Sequence, residues 1–128
     1  MSAPDLTKPG EGWGSVHLVE HAPEAGTLEG LHVAELDASA INDKSDLMAA
    51  LSKGLEFPDY FGNNWDALDE CLRDLAWIGA AGYVLIIAGA ADLWRREPEL
   101  SALLVQVWAD AAGVWSGKDV PFHLVLVH

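Results

Sequence analysis

The chain has 128 residues, 51% of them hydrophobic and six of them tryptophan, which suits one globular domain with a real core and excludes a disordered acidic tail. Twenty acidic residues against seven basic ones leave a formal net charge of −13. Such a surplus repels nucleic-acid phosphates and anionic membranes and favours a cationic partner, although an acidic exterior also serves plain solubility. A lone cysteine, Cys71, cannot form an internal disulfide. Residues 1–14 show no signal-peptide pattern and no apolar run approaches membrane-spanning length, so the expected location is cytoplasmic.

In chain order, residues 1–14 hold Pro4, Pro9, Gly10, Gly12 and Gly14 and read as a leader with little regular structure, anchored by Trp13. Residues 15–20, with Val16, Leu18 and Val19, predict an edge strand, and residues 31–36 a second strand. Asn42 or Asp43 is placed to cap a helix over 44–55, with Leu47, Met48, Leu51 and Leu55 on one face and Pro58 as its stop. A second helix over 64–75 places Leu68, Cys71, Leu72 and Leu75 at i, i+3, i+4, i+7. The unbroken apolar run 83–88 predicts a strand covered on both faces of a parallel sheet. Pro98 opens a long helix that Gly117 ends, and residues 122–127 supply a last strand. The order strand, helices, strand, helix, strand predicts a small α/β layer fold.

The stretch from Phe57 through Pro58, Tyr60, Phe61, Gly62, Asn63, Asn64 and Trp65 to Leu72 carries the candidate site. At 100° per residue, Asp66, Asp69, Glu70 and Arg73 fall on the face opposite the apolar stripe. Asp66 and Glu70 form an i, i+4 like-charge pair costing an isolated helix about 0.2–0.5 kcal/mol, which Arg73, four residues after Asp69, partly offsets. A cationic partner relieves that repulsion. Ahead of the helix, Gly62 permits a tight turn, Asn63 or Asn64 caps, and the rings of Tyr60 and Phe61 sit beside the carboxylates. A flat ring next to fixed carboxylates imitates a nucleic acid, the ring standing for a base and the carboxylates for phosphates.

This segment resembles the signature of the barstar family of ribonuclease inhibitors: a Pro, acidic, aromatic, aromatic, Gly loop leading into an Asn, hydrophobic, Asp, Ala, Leu, x, acidic, Cys, Leu helix. The similarity extends more weakly from Leu31 onward, through the stretch Val105 to Trp108, and leaves residues 1–30 outside as an N-terminal extension to a 31–128 domain. It implies a three-stranded parallel sheet packed by helices, to which residues 15–20 add an edge strand. It also implies an intracellular inhibitor that plugs the active site of a secreted basic ribonuclease. No cofactor, metal, nucleic acid or membrane is implied, and the free protein is expected to be a monomer. On that resemblance Tyr60, Phe61, Gly62, Asn64, Trp65, Asp66, Asp69, Glu70, Arg73, Trp77 and Asp110 are the candidate partner-binding residues. Three positions depart from the type inhibitor: Asp69 replaces a tryptophan, Glu70 an aspartate and Trp65 a leucine. The long helix has Asp110 at one acidic contact position and Val114 at the next.

Other chemistries fit less well. Asp66 and Glu70 could pair as general acid and base, but acid catalysis needs a carboxyl walled by apolar groups, and this face looks outward. One straight helix cannot wrap calcium with Asp66, Asp69 and Glu70. His17 and His21 are separated if their segment is a strand, and Cys71 reads as an inert core thiol. Gly10, Gly12 and Gly14 lack the preceding strand and following lysine of a phosphate loop. The alternative function is a barstar-like interaction or immunity module for a basic partner other than a ribonuclease.

Overall fold

The computed structural model describes residues 4–128. Tyr83–Ala88 (β3) and Phe122–Val127 (β4), apolar but for His123, are buried without alternation, and they form the two central strands of an all-parallel sheet. Val16–Val19 (β1) pairs with β4 and His32–Asp37 (β2) pairs with β3, so the spatial order is β1-β4-β3-β2. The expected edge strand is thus a fourth parallel strand beyond the three that the resemblance implies.

Because side chains alternate across a sheet, Leu85, Ile87, Phe122, Leu124 and Leu126 point to one face, joining Ala34 and Leu36 of β2 in the main core. Helices Lys44–Gly54 (α1), Trp65–Asp74 (α2) and Pro98–Gly117 (α4) supply the other half of that core. Asp43 caps α1, accepting from the Asp46 amide at 2.8 Å, while Asp46 accepts from the Asn42 amide at 3.0 Å. The helix stops at Gly54, four residues before Pro58, where an added Cβ would lie 3.1 Å from Ala34 Cβ. Trp108 of α4 stacks on Phe122 with centroids 4.0 Å apart, and Trp115 Nε1 donates to the Leu72 carbonyl at 2.7 Å, clamping α4 to α2.

Ala90–Arg96 (α3) has no counterpart among the predicted elements. Gly89 enters it in the left-handed region, φ 74°, and Arg96 fixes it by donating to the carbonyls of Ala38 at 2.9 Å and Ile41 at 3.1 Å. Two turns between two strong elements offer too short an apolar period to detect.

Val84, Ile86 and Val125 point to the other face, where Leu6 and Leu28 cover them. The chain between β1 and β2 must pass from one edge of the sheet to the other, and Leu28 packs beneath the central strands on the way. This corrects the expectation for the leader: the anchor is Leu6, 4% exposed, whereas Trp13 is 61% exposed.

Candidate protein-binding surface

Helix α2 begins where Asn64 turns its side chain back to accept from the Ala67 amide at 2.8 Å, satisfying one of the open amides of the first turn. The same side chain donates to the Gly62 carbonyl at 3.3 Å. The left-handed residue of this turn is Asn63, φ 55°, not Gly62. Gly62 serves a different purpose: a Cβ there would sit 3.0 Å from Asn64 Nδ2 and crowd the capping side chain. The helix closes on Leu75, itself left-handed at φ 49°, whose amide donates to Cys71.

Leu68, Cys71 and Leu72 are buried, and that fixes the rotation of α2. Each fully buried leucine contributes about 1.5–3 kcal/mol, so no other face of this helix competes for the core. Asp66 and Glu70 are consequently exposed, with Asp69 and Arg73 half-buried along one flank of the pair. Arg73 Nε donates to Asp69 Oδ1 at 2.9 Å. Burial, followed by the carboxylates of Asp74 and Glu70, pushes the Cys71 thiol up, consistent with an inert core thiol.

Tyr60 stands on the loop before α2, 73% exposed. Phe61 does not accompany it: its ring is 8% exposed and packs on Phe57 with centroids 4.7 Å apart, so it cannot offer a flat face to a partner. The alternation is local. Phe57 and Phe61 bracket the Pro58–Tyr60 tip, and the Phe61 amide donates back to the Pro58 carbonyl at 3.0 Å, so both flanking rings turn in while the tip turns out.

Trp77 is half-buried and braces this loop from the far end of α2. Its Nε1 donates to the Leu55 carbonyl at 3.0 Å and its ring meets Phe57 edge-on at 6.1 Å. Sequence reasoning began the candidate stretch at Phe57 and placed Leu55 on the apolar face of α1, but gave neither a part in bracing the loop; the pair of phenylalanines four apart around a proline was the available signal. Trp65 is half-buried against the core and lines an open groove with Leu100, Leu103, Glu97 and Glu99 of the α4 start. Asp110 is exposed on α4 and accepts from Gln106 Nε2 at 2.9 Å, while Val114 is half-buried.

The described surface therefore has two exposed carboxylates one turn apart, a third tied to an arginine, and an exposed ring on a braced loop, all preceding or lying on one helix. Among the described residues no group of three or more His, Cys, Asp or Glu side chains is arranged to hold a metal ion. Among the described residues no helix is long and apolar enough to cross a membrane.

With this geometry in place, the family described as Barstar (barnase inhibitor) matches residues 31–127, most of the chain. The chain belongs to the barstar family. The search of curated proteins returns no match. The barstar-family region takes in β2 through β4 and all four α-helices, and leaves β1 and the back-face cover, Leu6 and Leu28, outside the match. The barstar family is, by that description, one of inhibitors.

Proposed function

We propose that this protein inhibits a basic ribonuclease inside the cell that makes it, by inserting the exposed face of α2 and the Tyr60 loop into the enzyme's active-site cleft. The observation that carries this reading is the joint exposure of Asp66 and Glu70, with Tyr60 on the loop just ahead of them. On a helix, side chains four apart are about 5–6 Å from each other at Cβ, a spacing comparable to that of successive phosphates. Arginine, lysine or histidine side chains that hold RNA phosphates would meet carboxylates instead, and charge-assisted hydrogen bonds would replace those to substrate. Inhibition follows from occupancy and needs no cofactor.

A second reading keeps the barstar-like fold and gives it a basic partner that is not a ribonuclease. It is favoured by Asp69: where the type inhibitor offers a tryptophan, this chain has a carboxylate already spoken for by Arg73.

Titrating the protein into a panel of small secreted ribonucleases while following RNA cleavage separates the two. Stoichiometric inhibition of at least one enzyme, lost in Asp66→Ala, supports the first. Full activity of every enzyme, together with a basic non-ribonuclease recovered on the α2 face by cross-linking in the native host, supports the second.

A further inference from the structure

On the face of the sheet away from α2, two histidines meet at the β1 edge. His123 of β4 is only 2% exposed, and its Nδ1 lies 2.9 Å from Nε2 of His17 in β1. Its other nitrogen, Nε2, lies 2.6 Å from the Lys8 carbonyl. A carbonyl only accepts, so His123 Nε2 carries a hydrogen; Nδ1 of the neutral ring is then an acceptor, and His17 Nε2 is its donor. The network thus fixes both tautomers and ties the segment before β1 and β1 itself to one buried ring. The close fit is built into the chain: a Cβ on Gly10 would lie 3.1 Å from His123 Cε1 and 2.7 Å from the Gly14 carbonyl oxygen.

Protons enter this arrangement in two steps of different consequence. A first proton on His17 Nδ1 leaves its Nε2 a donor and the contact intact. A second has only His123 Nδ1 to go to, where it faces a donor 2.9 Å away. Burial makes both rings weaker bases than ordinary imidazole; for His123 the Lys8 carbonyl and the Asp5 carboxylate oppose that effect, and for His17 the neighbouring His123 adds to it. The groups around the pair offer little else to hold a second charge. Asp5 is shared with Lys8, whose Nζ is 3.9 Å away; Glu11 is exposed before the Gly12–Ser15 turn, which has no charge of its own; and β3 presents Val84 beside His123.

We propose that His17 and His123 form an acid-labile clasp: at neutral pH it holds residues 4–19 on the sheet, and at mildly acidic pH it lets them go while the barstar-family body stays folded. Release uncovers Val84, Ile86 and Val125, the apolar patch that Leu6 helps cover. The sign follows from linkage. The clasped form binds fewer protons than the released one, so it is favoured above the ordinary imidazole value of 6.5 and loses ground as pH falls below it.

Hydrogen–deuterium exchange of the full chain between pH 7.5 and 5.0, expressed as protection factors, tests this. Peptides covering residues 5–19 should lose protection progressively as pH falls below 6.5, by up to about tenfold per pH unit for each proton taken up on release, while those covering β3 keep theirs. His123→Gln and His17→Gln each remove one of the two titrating rings, and a glutamine amide at position 17 can turn either donor or acceptor toward His123; both should flatten the profile. Should His123→Gln fail to fold, His17→Gln decides, since His17 sits half-exposed on the edge strand. Flat protection in the native protein, a loss that β3 shares, or an equally steep loss in His17→Gln would each overturn the clasp.

Discussion

Arg73 reaches back one turn along α2 to Asp69, Nε to Oδ1 at 2.9 Å, and so neutralises the half-buried carboxylate at the edge of the acidic face. Both side chains are more than a third exposed, at 40% and 38%, so the pair adds only about 0.3–0.5 kcal/mol to stability. Its larger effect is on the field that the face projects. Arg73→Ala is expected to leave the fold intact and to speed association with a basic ribonuclease at low salt, read by stopped-flow fluorescence. Slower association would mean that Arg73 itself contacts the partner.

Asp66 and Glu70 carry the opposite expectation. Each truncation to alanine should weaken the complex by about 2–5 kcal/mol if the carboxylate is buried against a cation, with an unchanged urea midpoint for the free protein. Association of the native protein should slow as salt rises, because steering fades over a screening length of about 8 Å at physiological ionic strength. Calorimetric affinities unchanged in both variants would remove α2 from the interface.

Asn64 holds the start of α2 through its hydrogen bond to the Ala67 amide. Asn64→Ala should cost about 1 kcal/mol by chemical denaturation, and it should also blur the position of Asp66, two residues on. Asn64→Ser, which can still cap, should recover most of the stability.

Trp77→Phe keeps a ring against Phe57 but deletes the donor to the Leu55 carbonyl. A loss of about 1 kcal/mol is expected, with faster dissociation from the partner because the Tyr60 loop is less firmly preorganised. If stability falls and dissociation is unchanged, Trp77 serves the fold alone.

Cys71 offers a probe of the inner face of α2. With its thiol pushed up by burial first and by Asp74 and Glu70 second, the native protein at pH 8 should react slowly with a disulfide reagent and fully only in urea. Rapid native reaction would show that the helix lifts from the core.

Much of this architecture was legible because long runs carry their own period. The strands 83–88 and 122–127, the span of α4 and the outward rotation of α2 each rest on several apolar residues in register, and all appear where expected. What escaped rests on single residues with distant partners. Phe61 looked like half of an aromatic pair, yet which of two adjacent rings turns inward depends on Phe57 and Trp77. Trp13 looked like an anchor because it is large, but the buried place belongs to Leu6, chosen by the far strands β3 and β4. His17 was weighed against His21, four residues away, while its partner lies 106 positions along the chain. α3 depends on Arg96 reaching carbonyls at Ala38 and Ile41. Period reveals elements; it is silent about which surface singleton finds which distant mate.

The pairing of β1 with β4 also dictates a timetable for biosynthesis. Val16–Val19 leaves the ribosome early but finds its neighbour only once Leu124–Val127 has been made, because the strand beside it is the last of the four in sequence. Until then the patch formed by Val84 and Ile86 lacks both Val125 and the β1 edge, and contacts so distant along the chain form late. The outermost strand can thus be completed only after residue 127 has been made, and a nascent chain stalled before residue 122 would be sticky without being whole.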